Sequence, residues 1–381
     1  MTKALKHSWV LFRNVLIVFF ILEIVFAIIY NYKDNKVYDD TIDLKIEAKI
    51  HDGMSDDEIR DMYHEFVDLE MQWKPYIHYA HKAYQGKYNT IDANGRRKTS
   101  QFVNRTARDT INISCFGGST MYGFGSADST TIPSLLSKEL SRRYSELNFK
   151  VVNYGIYGLN RRQEDIILDN EIIKGSIPDI VIFLDGVNEV LSAHQNGDTG
   201  IPTNSFNRNL EFNSAKTYKK KFLLFLRSSY TNRFIKYVKK KLRSPSTTIN
   251  TDSLSLKIAE NYRFFAMSSK YYEDTHNIRV FNFIQPTMFS KESLSSYEKK
   301  LDPKQLNLRA IYKNTYVYLK KDSILNNLAS YSDISTVFDN TKTSVFTDFC
   351  HTTEKGNEII AKQISTDIEG AIISIMKDPI D

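Results

Sequence analysis

The stretch that decides the fold is INISCFGGSTMYG, residues 111–123. Ile111, Ile113 and Cys115 alternate with polar neighbours and close on Phe116, which reads as a short buried strand. Gly117-Gly118 breaks that strand and Ser119-Thr120 follows at the turn. Pro133 opens a helical run, PSLLSKELSRRY, a little further on. A strand ending in glycines and a serine puts that serine at the carboxyl edge of a sheet, where open α/β sheets bind ligands. Backbone N–H groups left open by such small residues suit an anion. By itself Gly-Gly-Ser is more often a plain turn, so the reading depends on the rest of the chain.

Outward from residue 111 the pattern alternates. Strands are predicted at 111–116, 149–153, 179–184 and 278–284, with helical patterns at 132–144, 161–174, 304–330 and 354–375. This alternation predicts an α/β fold, a three-layer α/β/α sandwich with a mostly parallel sheet, over residues 105–381. Between 203 and 275 the alternation stops, which marks a helical insert. Its stretch KTYKKKFLLFLRSSYTNRFIKYVKKKLR (216–243) carries apolar residues at helical spacing between lysine clusters. Three readings stay open for it: a helical cap over a cleft, a basic amphipathic surface touching anionic lipid, and a solvated helix pair, the commonest fate of such runs. SPSTTINTDSLS (244–255) reads as a flexible link.

Residues 9–30, WVLFRNVLIVFFILEIVFAIIY, form an almost unbroken apolar run of the length a bilayer needs. Arg13 can snorkel, whereas Glu23 sits mid-run at a cost. Bulky Ile28, Ile29 and Tyr30 follow Ala27 where a signal peptide would be cleaved, so the run reads as an uncleaved single-pass anchor after a short cytoplasmic tail, 1–8. Lys3, Lys6 and Arg13 before the run, against Lys33 and Lys36 after it, lean towards an extracytoplasmic main domain. Residues 31–104 read as a juxtamembrane spacer, with helical spacing from Ile59 to Leu69, followed by an aromatic, turn-rich segment covering one edge of the main domain. His78 and His81 in that segment lack a supporting ligand cluster, so they read as packing or solvated side chains rather than a metal pair.

The net charge of +6 is modest and mostly reflects the basic insert, so nucleic acid is not an expected partner. Only two cysteines occur, Cys115 and Cys350, which excludes a disulfide framework and reads as two buried thiols.

Three further stretches join the first. VVNYGIYGLN (151–160) ends a strand in a glycine-containing turn, and DIVIFLDGVNEV (179–190) ends another with Gly186-Val187-Asn188-Glu189. DFCHTTEKGNEIIA (348–361) sets Asp348 three residues before His351, at the mouth of an amphipathic helix. A parallel sheet gathers all four stretches along one edge. A serine hydroxyl needs a base to take its proton, and an imidazole needs a partner that fixes its tautomer; Ser119, His351 and Asp348 are those residue types.

The order Ser, Gly, Asn, then Asp-x-x-His resembles the SGNH hydrolases, the GDSL-type esterase superfamily, over about residues 105–375. Gly-Gly-Ser-Thr in the first block is similar to the membrane-anchored bacterial branch. The resemblance implies an SGNH, flavodoxin-like sandwich, Ser119, His351 and Asp348 as the catalytic set, and an oxyanion hole from the backbone N–H of Ser119, the backbone N–H of Gly158 and the side-chain amide of Asn188. Gly155 is the second choice for the glycine; the N-x-x-x-x-G spacing from Asn153 favours Gly158. Asp185, Glu189 and Gln285 border the same edge, as substrate contacts or as structural residues. Two departures stand out: Gly-Gly-Ser-Thr where many relatives have Gly-Asp-Ser, and Asn-Glu where Asn-Asp is usual. The expected activity is a membrane-anchored serine esterase removing O-acyl groups, acetyl above all, from a cell-envelope carbohydrate, with no metal or organic cofactor. An O-acetyltransferase using the same residues, a lipid esterase and a non-catalytic glycan-binding or assembly protein are the alternatives.

Overall fold

The computed structural model describes residues 3–103, 107, 109–214, 217–242, 250–301 and 306–377. It divides into two compact units: Met1–Leu44 with Asn204–Thr248, and Lys45–Thr203 with Ile249–Asp381. The apolar run lies in helix α1 (Lys3–Glu47), which by length and composition can cross a membrane and continues as helix through the polar residues after it. Helices α7 (Ser205–Ser214), α8 (Tyr218–Ser228) and α9 (Tyr230–Leu242) belong to the first unit; of the expected link, 244–249 lie outside the described residues, whereas 251–255 open a helix, α10 (Thr251–Ser268), which Asn250 caps by accepting the Ser253 N–H.

In the second unit α2 (Asp56–Val67) starts at a capping box, with Ser55 Oγ accepting the Glu58 N–H and Glu58 accepting the Ser55 N–H. Its apolar stripe of Ile59, Met62, Tyr63 and Phe66 is buried, as the helical spacing requires. Two short antiparallel hairpins follow, β1 (Met71–Lys74) with β2 (His78–His81) and β3 (Tyr84–Gln85) with β4 (Thr90–Ile91). Arg97 bridges to Asn153, which closes this segment onto an edge of the main sheet.

That sheet is wholly parallel. Its strands are β5 (Asp109–Gly117), β6 (Leu147–Asn153), β7 (Ile180–Asp185), β8 (Arg279–Ile284) and β9 (Tyr331–Asp333), in the order β6-β5-β7-β8-β9. Ranked along the chain this is 2-1-3-4-5, the doubly wound order whose switch point falls between the first and third strands, β5 and β7. Both faces are apolar, as a covered parallel sheet demands. Ile111, Ile113 and Cys115 of β5 with Ile180, Ile182 and Leu184 of β7 pack under α4 (Ile132–Arg143), α14 (Glu354–Asp367) and α15 (Glu369–Lys377). Phe116, Val181, Phe183 and Val280 face the other way, onto α5 (Arg161–Ile173) and α11 (Lys270–His276). Helices α6 (Val187–Asn196), α10 (Thr251–Ser268) and α12 (Leu306–Lys321) share a second core around Val190, Ile258 and Ile311. The remaining helices are short: α3 (Ser119–Tyr122) directly after β5, and α13 (Ser323–Asn326).

The expected helix at 304–330 is two helices, because the Asp322 side chain accepts the N–H groups of Ile324 and Leu325 and starts α13 afresh; residues 304 and 305 lie outside the described set. Strand β9 is three residues at the sheet's edge, too short to leave an alternation pattern.

Candidate active site

β5 ends at Gly117, Gly118 is the cap residue of α3, and Ser119 is the first residue of that helix. Gly118 has no room for a side chain: a Cβ there would lie 1.9 Å from the Asn188 Nδ2. Its bareness lets the Asn188 amide approach the backbone beside Ser119.

The histidine arrives from the loop before α14. Asp348 Oδ1 accepts the N–H groups of Cys350 (2.9 Å) and His351 (2.8 Å), which folds the loop into a tight turn. The other oxygen, Oδ2, lies 2.5 Å from His351 Nδ1, and His351 Nε2 lies 2.6 Å from Ser119 Oγ. Asp348, His351 and Ser119 thus form one continuous hydrogen-bond chain across 232 positions of sequence. Desolvation works to raise the Asp348 carboxyl, but the charge of His351 and hydrogen bonds from the His351 ring and the two backbone N–H groups hold it well below the usual range. The ring of Phe124 lies 4.7 Å from that of His351.

Asn188, on the first turn of α6, donates from Nδ2 to Leu159 O (2.7 Å), which spends one of its two amide hydrogens. Of the two glycines considered, Gly155 has its N–H committed to Asn153 Oδ1 at 2.8 Å. Gly158 sits at φ +68 in the left-handed region, with its carbonyl held by Thr203 Oγ1 at 3.0 Å, and its N–H meets no acceptor among the described residues.

The supports of these groups connect the loops to one another. Gln285 Nε2 donates to Thr120 Oγ1 (2.7 Å) and Cys350 O (3.0 Å), tying the serine turn to the histidine loop. Asn357, in α14, donates to Ser126 Oγ and Thr130 O and accepts from Thr352, a second link between the segment after Ser119 and the one after His351. Glu189 accepts the N–H of Arg161 (2.8 Å) on one oxygen and that of Gly186 (2.7 Å) on the other. It therefore stitches the turn before Asn188 to the turn after Gly158. Burial pushes the Glu189 carboxyl up, and these two N–H groups pull it back. Asp185 lies deeper, 3.7 Å from the buried Arg161 guanidinium; burial, then the neighbouring Glu189, raises it.

Three buried residues escaped the sequence reading. Arg97 donates to the carbonyls of Tyr88, Tyr122, Gly123 and Ser126 and pairs with Asp128 at 3.0 Å, which fixes the loop after Ser119. Buried Glu298, paired with Lys291 at 2.7 Å, accepts the N–H of Val345 at 2.9 Å, just upstream of the histidine loop. Lys45 is 5 % exposed, its ammonium 4.1 Å over the Tyr63 ring. Desolvation lowers it to about 8 despite attraction from Asp348. A lone Arg or Lys in a polar stretch gives no sequence signal of burial.

Donor atoms of Asp348, Cys350 and His351 lie within 4.8 Å of one another, but both ring nitrogens of His351 are already engaged, by Asp348 and Ser119. His81 is fully buried against the rings of Tyr122 (4.5 Å) and Tyr157 (4.6 Å), and burial, helped by Arg97, pushes it down to about 3; His78 stacks on Trp73. Both are packing histidines. Cys115 and Cys350 are free and buried.

No family model matches the chain, and no curated protein matches its sequence. Among solved structures it is similar to an acetyl xylan esterase, AlAXEase (12% identity, 68% of this chain and 100% of that one, TM-score 0.36). It is also similar to a catalytic mutant of Axe2, an acetylxylan esterase from Geobacillus stearothermophilus (13% identity, 70% and 96% covered, TM-score 0.39). A third is LAE5, an α/β hydrolase from the metagenome of Lake Arreo, Spain (13% identity, 68% and 94% covered, TM-score 0.35).

Proposed function

We propose that this chain is a serine esterase of the SGNH type. More particularly, it is a membrane-anchored one that removes O-acyl groups, acetyl above all, from a cell-envelope carbohydrate. The observation that carries the reading is the Asp348–His351–Ser119 chain, with contacts of 2.5 and 2.6 Å. Ser119 Oγ attacks the ester carbonyl while His351 Nε2 takes its proton. Asp348 holds the Nδ1–H tautomer and steadies the imidazolium. The oxyanion is met by the N–H groups of Ser119 and Gly158 and by the second amide hydrogen of Asn188. His351 gives the proton to the departing sugar oxygen as its bond to the acyl carbon breaks, an acyl-serine remains, and water activated by the same imidazole releases the acid and returns the Ser119 hydroxyl.

The cell-surface carbohydrate is supported by the likeness of Gly-Gly-Ser-Thr to the membrane-anchored bacterial branch, and the anchor and the extracytoplasmic side by α1 and its flanking charges. The test is acetate release from O-acetylated oligosaccharides by the detergent-solubilised chain, with unacetylated acceptor present to register transfer. The reading predicts free acetate that Ser119→Ala eliminates. Acetate release that persists in that variant, or none from a set of acetylated glycans and activated esters, contradicts it.

A further inference from the structure

Glu23 is the one acidic residue in the apolar run 9–30. Its carboxylate accepts the N–H groups of Tyr230 (2.6 Å) and Thr231 (3.0 Å) and the Thr231 hydroxyl (2.9 Å). These residues open α9, so Glu23 caps that helix and meets the positive end of its dipole. Further along, Phe26 stacks on Phe234 with centroids 4.5 Å apart, and Tyr230 Oη donates to Asn31 Oδ1 at 3.0 Å. Arg233 forks onto Asp34 at 2.7 and 2.9 Å, and Lys33 lies 5.9 Å over the Tyr237 ring. Helix α9 therefore runs beside α1 from Glu23 towards Lys33.

Only Ser229 separates α8 from α9, and the polar groups at this bend satisfy one another. Ser228 Oγ donates to Phe225 O, Ser229 Oγ to Leu226 O and Asn232 Nδ2 to Arg227 O. Such closure is what a bend needs where water is scarce. Phe222, Leu223, Phe225, Phe234 and Ile235 are exposed nearby, an apolar group that water penalises. Exposed lysines cluster at the two open ends, Lys219 to Lys221 on α8 and Lys239 and Lys241 on α9, with Lys236 exposed one turn nearer the bend. At a rise of about 1.5 Å per residue, Glu23 to Lys33 spans about 15 Å and Tyr230 to Lys239 about 14 Å. Both match one leaflet, half of a hydrocarbon core of roughly 30 Å. Arg227, the charge nearest the bend, has a stem long enough to snorkel.

We infer that α8 and α9 form a second membrane contact, a hairpin clasped to α1 by Glu23 whose bend dips into one leaflet. Its apolar residues enter the acyl chains of that leaflet and its terminal lysines bind the phosphates of anionic lipid. The inference rests on α1 spanning the bilayer. It explains an acid in the middle of the anchor and lysine clusters at both ends of the insert with one arrangement.

The test uses the full chain in nanodiscs of phosphatidylcholine with phosphatidylglycerol. An environment-sensitive dye is attached at Phe225→Cys, or at Ile17→Cys as a control on α1, and ester hydrolysis reports folding. The dye at position 225 is expected to be quenched by acyl-chain spin labels and shielded from iodide. Glu23→Gln, and separately replacement of phosphatidylglycerol by phosphatidylcholine, are each expected to reduce that shielding at least twofold while the control holds. A dye at 225 open to iodide while the one at 17 is shielded overturns the hairpin alone. A dye at 17 that is itself open to iodide overturns the spanning reading and the hairpin with it. Shielding that does not respond to lipid charge overturns the lysine–phosphate contact, and shielding that does not respond to Glu23→Gln overturns the clasp.

Discussion

At the residue scale the strongest demands fall on groups that touch the reacting ester. On the proposed mechanism Asn188→Ala removes one oxyanion donor and is expected to lower kcat by roughly 100- to 1,000-fold with little change in KM, read from steady-state hydrolysis of an activated ester. Glu189 acts at one remove: its two oxygens each accept a backbone N–H, from Arg161 and from Gly186. Glu189→Gln keeps one of these and turns an N–H donor towards the other. The expected result is a fall in kcat of roughly 10- to 100-fold with KM within about threefold, because misplaced donors weaken the transition state more than the ground state. Asp348 adds a pH signature. Its carboxyl titrates below the ordinary 3.8, so the native state binds its proton less well than the unfolded chain does. That contribution to stability is fully present above about pH 4 and is lost as pH falls through the native value. Melting curves of the parent and of Asp348→Asn are therefore expected to differ between pH 5 and 7 and to converge in acid. A gap that does not depend on pH would contradict this.

At the element scale, what holds the site is mostly loop-to-loop bonding. Arg97 spends its guanidinium on four carbonyls and Asp128, so Arg97→Met strips Asp128 of its cation and Ser126 O of its donor, while the carbonyls of Tyr88, Tyr122 and Gly123 each keep one other donor. It is expected to cost about 3 kcal/mol, measured by denaturant unfolding of the full chain. The sheet strands β5 to β8 and the helices α4, α5 and α14 were legible in the sequence because each is long enough to show its period. The contact of Ser119, His351 and Asp348 was legible because each sits in a short block at a strand exit or helix mouth; the roles of these residues, and those of Gly158 and Asn188, stay part of the proposal. Arg97, Lys45 and Glu298 were not legible, since their roles come from partners brought near only by folding. The same is true of Gln285, whose position at the edge was read but whose bridge from Thr120 to Cys350 was not. Glu23 read as a local penalty because its partner lies 207 positions away.

At the scale of the whole molecule, a parallel sheet in the order 2-1-3-4-5 brings the ends of β5 and β7, and the loop before α14, to one edge. A long apolar helix heads the chain, and the account expects the protein to stay with the membrane pellet after alkaline carbonate extraction; release into the supernatant would contradict the anchor. Above all, the proposed function makes Ser119 an activated nucleophile. The most direct measurement is labelling of the detergent-solubilised protein with a fluorophosphonate, read by intact mass and by mapping the modified peptide. The prediction is one adduct, on Ser119, absent from Ser119→Ala and strongly slowed in His351→Ala. A folded protein that takes up no label, or takes it up at another residue, would contradict the claim.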